Sequence, residues 1–128
     1  MSKPRVLVVD DSEVGRTLLL SQLSHLGYEA EAADNGVKAV DKVMQGDFSL
    51  VLMDIFMPGI DGIEATRQIR EYQTQQGKSR IPIVAVTGGA DRQACIAGGL
   101  DDFVSKPIML DDLRRVITQW LTPMNTPK

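Results

Sequence analysis

The sequence has few of the residues that build disulfides and soft-metal sites. Among 128 residues it contains one cysteine, Cys95, and one histidine, His25. A single cysteine cannot form an internal disulfide, and a structural zinc site needs about four ligands. These counts exclude a disulfide scaffold and a zinc site. We interpret Cys95 as a small, partly buried thiol and His25 as a cation near a helix end.

The sequence also lacks an excess of positive charge and any long hydrophobic run. Fourteen Lys and Arg residues against seventeen Asp and Glu residues give a formal charge of −3. No global positive field is available to hold a nucleic-acid backbone, so direct nucleic-acid binding is not expected. The apolar runs are far shorter than the roughly 20 residues that cross a bilayer, and the N-terminus does not resemble a signal peptide. We expect a cytoplasmic protein without membrane insertion.

What is present is the composition of an ordinary globular domain. Hydrophobic residues make up 43% of the chain and charged residues 24%. The length suits one hydrophobic core, with little room for a second domain. Two prolines, Pro123 and Pro127, fall in the last residues. We predict one domain over residues 1–121 and a tail or linker over 122–128.

Short apolar runs alternate with helical stripes along the chain. The runs typical of strands cover residues 5–10, 28–33, 49–54, 81–87 and 103–105. The helical stripes cover residues 12–26, 37–44, 65–72, 91–97 and 110–121, and the third should fade in the polar stretch 73–80. Five strand–helix units in alternation predict an α/β fold, with a parallel sheet and helices on both faces.

Polar residues stand where these strands end. They are Asp10 and Asp11, then Asp54, Thr87 and Lys106. In such sheets the functional crevice lies beyond the carboxyl ends of the strands, so these side chains should converge. Three crowded carboxylates repel one another unless a cation is present, and oxygen ligands without His or Cys favour Mg²⁺. Lys106 and Thr87 could grip a tetrahedral dianion beside the metal, which suits phosphoryl transfer.

The alternative for the first two carboxylates is helix capping. Asp10 and Asp11 precede a predicted helix, and carboxylates at that position stabilise its free N–H groups by about 0.5–2 kcal/mol. Lys106 alone would be an ordinary surface charge, and Thr87 alone a plain strand terminus. Only the set of residues predicts a site.

Four segments then give the sequence a specific resemblance. They are VVDDS at 8–12, LMDIFMPGIDG at 52–62, VT at 86–87 and DDFVSKP at 101–107. Together they resemble the receiver domain of two-component response regulators over nearly the whole chain, from Val6 to Leu121. The resemblance implies a doubly wound, flavodoxin-like (βα)5 sandwich with strand order 2-1-3-4-5.

The resemblance also implies what the acidic residues do. Asp54 would be the phosphoacceptor, taking a phosphoryl group from a phosphohistidine on a sensor histidine kinase or a histidine phosphotransfer protein. Mg²⁺ would be held by Asp10, Asp11, Asp54 and the backbone carbonyl of Phe56. One of the first two could hold the ion through a water molecule. The domain would be an acceptor that phosphorylates and dephosphorylates itself, not a turnover enzyme on free substrate.

Further residues would bind and report the phosphoryl group. By the same resemblance Thr87, Lys106 and the backbone amide of Gly88 bind its oxygens, and the Lys106–Pro107 bond is cis. Movement of Thr87 toward the adduct would let Phe103 turn inward and change the face formed by the fourth helix, fifth strand and fifth helix. Phe103 could equally be plain core.

Two features of this chain affect the behaviour that the resemblance implies. The stretch 88–90 is shorter than usual by about one helical turn, so the output face should be irregular. Phe56 is bulky and cannot orient an attacking water, which predicts slow loss of the phosphoryl group.

Other functions and contexts stay open at the level of sequence. A receiver fold that binds partners without phosphorylation is one rival, although all five site residues are retained. A phosphatase of the dehalogenase-like type is another, but its strand ends in Asp-x-Asp, whereas Asp54 is followed by Ile55 and Phe56. The chain could be a free-standing regulator or part of a hybrid kinase. The run 62–70 resembles hybrid-kinase receivers and therefore favours the second context. It could be a monomer or a phosphorylation-dependent homodimer.

Overall fold

The computed structural model describes residues 4–121 and contains five strands alternating with five helices. The strands are β1 Arg5–Val9, β2 Glu29–Ala33, β3 Leu50–Met53, β4 Ile83–Thr87 and β5 Asp102–Ser105. The helices are α1 Glu13–His25, α2 Gly36–Gln45, α3 Gly62–Gln76, α4 Arg92–Ala97 and α5 Leu110–Trp120. None of these helices is long and apolar enough to cross a membrane. The predicted tail, 122–128, lies outside the described residues.

The five strands form one parallel sheet in the order β2-β1-β3-β4-β5, which confirms the predicted architecture. Strands β3 and β4 are buried along their whole length, as are the last four residues of β1. This burial explains why their sequences are continuous apolar runs, since helices cover both faces of the sheet.

Two separate cores flank the sheet. One contains residues of α2, α3 and α4, including Val40, Ile69 and Cys95, which is fully buried. The other contains residues of α1 and α5, including Leu23 and Leu113. Each helix therefore buries one face against the sheet, as its apolar spacing predicts.

The helices begin where short polar side chains cap them. Ser12, Asn35 and Asp61 accept hydrogen bonds from backbone N–H groups three residues later, at 3.2, 2.8 and 2.8 Å. The prediction that the third helix fades within the polar stretch 73–80 is confirmed, since α3 ends at Gln76. Gln73 is buried, and Gly77 ends the helix with a φ of 63°.

The amino end of β5 carries a dense polar network. Asp101 accepts hydrogen bonds from Arg70 at 2.7 Å, Arg80 at 2.8 Å and the Ile83 backbone at 2.9 Å. Arg70 also donates to the carbonyls of Ile81 and Gly99, at 2.6 and 2.9 Å. The network joins α3 to the strand edge, so its role is structural.

Candidate functional site

Three carboxylates meet at the carboxyl edge of the sheet. Asp10 and Asp11 follow β1, and Asp54 follows the neighbouring strand β3. The Asp54 backbone N–H donates to the carbonyl of Val9 at 2.9 Å, which holds the two strand ends side by side. One oxygen from each carboxylate lies within 4.8 Å of the others. Asp10 is 2% exposed and Asp54 5%, whereas Asp11 is exposed.

A single lysine contacts the two buried carboxylates. Lys106 follows β5, and its backbone N–H donates to the carbonyl of Thr87 at 2.9 Å. Its ammonium donates to Asp10 Oδ2 at 3.1 Å and to Asp54 Oδ2 at 3.3 Å. Within residues 4–121 Lys106 is the one side chain that forms ion pairs with Asp10 or Asp54. The predicted cis Lys106–Pro107 bond is confirmed.

The pKa of Asp54 reflects its burial and its acidic neighbour more than its one cationic partner. Burial raises the pKa of Asp54, and the neighbouring Asp10 adds to the rise, while Lys106 opposes it. Burial alone would lower the pKa of Lys106, but its hydrogen bond to Asp10 and the charge of Asp54 outweigh burial and raise it. One ammonium therefore does not neutralise the pair, and the site favours a further cation.

Thr87 supplies a hydroxyl without a partner. It is the last residue of β4 and is fully buried, and its Oγ1 forms no hydrogen bond within the described residues. A buried polar group left unpaired costs about 1–3 kcal/mol. The next residue, Gly88, borders open space, since a Cβ atom placed there would meet nothing within 4 Å. A ligand oxygen could approach the backbone of the exposed Gly88, whereas the Thr87 side chain is buried and would have to move to meet it.

The two phenylalanines of the predicted site lie in different surroundings. Phe56 is 62% exposed, and its ring edge lies 4.0 Å from the position that a Cβ atom on Gly89 would take. Phe103 is partly buried and packs against the core beneath α2, α3 and α4. The short helix predicted at 91–97 is present as α4, which has six residues. The geometry thus brings Phe56 to the rim of the site and leaves Phe103 against the core.

Two further features were not predicted from the sequence, one near the site and one at the opposite, amino end of β5. Val14 and Leu18 belong to the apolar stripe of the first helix, yet they are 78% and 46% exposed beside the crevice. Asp102 is buried, and the Trp120 indole and Arg115 donate to it at 3.0 and 3.2 Å. Apolar spacing identifies the stripe of a helix, but it does not show how much of that stripe the sheet covers.

The donor set fits a hard divalent cation. Three carboxylates without a histidine or cysteine offer the oxygen ligands that Mg²⁺ prefers. The unpaired Thr87 hydroxyl and the Lys106 ammonium add donors for an anion at the same edge. The fold and the site together define a flavodoxin-like α/β domain with an acidic, anion-accepting crevice at its strand ends.

The chain belongs to the response regulator receiver domain family, whose model matches residues 6–118. It is 40% identical over 120 residues to the sensor protein GacS of Pseudomonas syringae pv. syringae, and the match covers 91% of this chain and 13% of that protein. The chain therefore spans about an eighth of the length of this relative.

Two solved structures share the fold closely. One is the co-crystal structure of the Saccharomyces cerevisiae histidine phosphotransfer protein Ypd1 and the receiver domain of Ssk1, with a TM-score of 0.87, 31% identity, and coverage of 92% of this chain and 88% of that chain. The other is the receiver domain of sensor histidine kinase PA1611 from Pseudomonas aeruginosa PAO1, with a magnesium ion in its active site cleft. Its TM-score is 0.83 at 31% identity, with coverage of 93% and 98%.

These matches confirm the predicted family, fold and class of function. The chain is a receiver domain homologous to phosphorelay receivers of two-component signalling, and it is not a metabolic enzyme of the ordinary kind. The rival interpretation as an interaction module that works without phosphorylation is not favoured.

Proposed function

We propose that Asp54 accepts a phosphoryl group from a phosphohistidine of a partner protein in a Mg²⁺-dependent reaction. The observation that carries the proposal is the charge balance of the crevice, where, among residues 4–121, only Lys106 forms ion pairs with the buried carboxylates of Asp10 and Asp54. A site built only for stability would pair each buried acid. The crevice has an excess of negative charge that a divalent cation could neutralise, and the cation and Lys106 could then hold a dianion.

The residues that would hold the ion are the three clustered carboxylates and one backbone group. The proposed ligands are Asp10, Asp11, Asp54 and the carbonyl of Phe56. One of the first two could bind the ion through a water molecule. When bound, Mg²⁺ would neutralise charge that develops on the transferred phosphoryl oxygens. The magnesium ion in the PA1611 receiver supports this assignment.

The chain's own groups would carry the transfer. An oxygen of Asp54 attacks the phosphorus, an O–P bond forms, and the N–P bond breaks with its electron pair moving to the partner's imidazole. Lys106, the Thr87 hydroxyl and the Gly88 N–H would bind the phosphoryl oxygens. The buried, unpaired Oγ1 of Thr87 supports its part, because a phosphoryl oxygen would supply the missing partner.

The adduct would be read out through Thr87 and Phe103. Drawing Thr87 toward the phosphoryl group would let Phe103 turn inward, and the face formed by α4, β5 and α5 would change. Phe103 pairs with Ala85 across the β4–β5 ladder, two residues before Thr87, so the two switch residues share one strand pair. The six-residue α4 makes this face smaller, with Ile96 exposed on it.

The proposed partner is a histidine-containing protein, either a sensor histidine kinase or a histidine phosphotransfer protein. The similarity to a receiver crystallised with Ypd1 supports it. The exposed side chains of Val14 and Leu18 line a cavity together with Asp10 and Lys106 and offer apolar contact area, and the exposed Met109 follows Lys106 by three residues. We further propose that residues 1–121 act as a receiver module and 122–128 as a tail or linker, in a hybrid kinase or a free-standing regulator.

Acetyl phosphate with Mg²⁺ tests the proposal most simply. Wild type should gain one phosphoryl group per chain by intact mass, and Asp54→Asn should gain none. Asp41→Asn, which alters an exposed aspartate on α2, is the matched control and should behave as wild type. Labelling of Asp54→Asn would refute the assignment, and steady turnover of free phosphomonoesters would favour the phosphatase alternative.

We also propose that the phosphorylated state decays slowly. Phe56 is exposed at the rim and has no group that could orient a water for attack on the acyl phosphate. After removal of the donor, loss of ³²P label should take much longer than seconds, and Phe56→Asn should shorten the lifetime. A half-life of seconds in wild type would contradict the idea.

A further inference from the structure

Gly15 lies directly against the carboxylate of Asp10. A Cβ atom on Gly15 would overlap with Asp10 Oδ2 and would lie 3.0 Å from Asp10 Cγ. The Asp10 carboxylate therefore occupies the space that the side chain of any other residue at position 15 would need.

The backbone of α1 gives no other reason for a glycine here. Gly15 is the third residue of the helix and is not among the glycines with positive φ. Glycine is the poorest helix former after proline. The absence of a side chain is thus explained by the contact with Asp10 and not by helix geometry.

In this position both oxygens of Asp10 are engaged. Oδ1 accepts a hydrogen bond from the Ser12 backbone N–H at 2.9 Å, and Oδ2 accepts one from Lys106 at 3.1 Å. The carboxylate is held back against α1 by these two donors. A cation that binds Asp10 must compete with the Lys106 ammonium for the lone pairs of the Asp10 carboxylate.

We infer that Gly15 is a positioning residue that lowers the Mg²⁺ affinity of the site by letting the Asp10 carboxylate rest on Lys106. The inference depends on the magnesium site proposed above. A side chain at position 15 would displace Asp10 Oδ2 from the place where it accepts the hydrogen bond from Lys106. The contact with Lys106 would be lost, and the carboxylate would be free to serve the ion.

The expected effect is tighter magnesium binding in Gly15→Ala. A hydrogen bond between charged groups is worth enough that its release should lower the dissociation constant by about 3- to 10-fold. The Ser12 amide proton should also shift in NMR spectra without magnesium, because its carboxylate acceptor moves. Gly15→Ser should give the same results and provides a second variant if the first folds poorly.

Calorimetric titration of the full chain with MgCl₂ tests the inference. Ser21→Ala, an exposed position on the same helix, controls for the gain in helix propensity and should bind as wild type. In a Lys106→Ala background the gain from Gly15→Ala should largely vanish, since no ammonium then holds Asp10.

The outcomes separate this inference from the proposed function. Equal or weaker magnesium binding by both position-15 variants, or an undiminished gain in the Lys106→Ala background, would overturn the role of Gly15 alone. Failure of wild type to bind Mg²⁺ at millimolar concentration would overturn the magnesium site itself.

Discussion

The two ends of the sheet treat their acidic residues in opposite ways. At the amino end of β5, Asp101 is contacted by two arginines and a backbone N–H. At the carboxyl end, one lysine serves both Asp10 and Asp54. The first arrangement satisfies its carboxylate completely, whereas the second leaves negative charge uncompensated. The comparison separates acids that stabilise the fold from acids that can do chemistry.

Two buried aspartates show the same contrast in their pKa values. Burial would raise the pKa of Asp102, but hydrogen bonds from Trp120, the Phe103 backbone and Arg115 outweigh it, and the pKa is lowered. For Asp54, burial and Asp10 outweigh Lys106, and the pKa is raised. The supply of hydrogen-bond donors therefore decides the direction in which the pKa of each buried acid departs from its ordinary value.

The largest expected effect comes from neutralising one acid at each end. In the presence of a chelator, Asp101→Asn should lower the free energy of unfolding by roughly 2–4 kcal/mol, because Arg70 and Arg80 lose their shared partner. Asp54→Asn should leave the free energy of unfolding equal or higher, because the repulsion between the carboxylates of residues 54 and 10 is removed. Urea denaturation measures both, and a larger loss in Asp54→Asn would break the comparison.

A smaller loss is expected where α5 is fixed to β5. Trp120→Phe removes the indole donor to Asp102 and should lower the free energy of unfolding by about 1–2 kcal/mol. The loss should be smaller in an Asp102→Asn background, because the acceptor is then no longer charged. Additive losses would show that Trp120 contributes only packing.

The pH dependence of stability should differ between the two buried acids. Asp54 has a folded pKa above 3.8, so its contribution is present below that pH and is lost as the pH rises through the folded pKa. Asp102 has a folded pKa below 3.8, so its contribution is present above that pH and is lost as the pH falls through the folded pKa. Unfolding of Asp54→Asn and Asp102→Asn in chelator, between pH 3 and 7, should show these opposite slopes relative to wild type.

The smallest effect is expected at Gly88. A Cβ atom there would meet nothing within 4 Å, and the residue has no positive φ. Gly88→Ala should therefore keep phosphorylation by acetyl phosphate and change the free energy of unfolding by less than about 1 kcal/mol. Loss of phosphorylation would mean that the open space above residue 88 is needed, and not only its amide.

The fold was predictable because each of its elements has a strong local signal. The buried strands β1, β3 and β4 are continuous apolar runs, and Ser12, Asn35 and Asp61 mark helix starts. The convergence of Asp10, Asp54 and Lys106 followed from parallel strands ending at one edge. The end of α3 was predicted within the polar stretch 73–80, and Gly77 ends the helix there.

Contacts that depend on side-chain orientation or join residues outside any motif could not be predicted. The approach of Gly15 to Asp10 depends on a side-chain orientation, and the bond from Trp120 to Asp102 joins residues that share no motif. Val14 and Leu18 belong to the apolar stripe of α1 and are nevertheless exposed. Apolar spacing identifies such a stripe but does not show how much of it the sheet covers.

The dependence of stability on magnesium tests the charge imbalance most directly. Denaturation of wild type at a Mg²⁺ concentration ten times its dissociation constant should show a gain of about 1.4 kcal/mol over chelator. Asp101→Asn should keep the gain, and Asp54→Asn should lose most of it. An equal free energy of unfolding for wild type with and without millimolar magnesium would contradict the account.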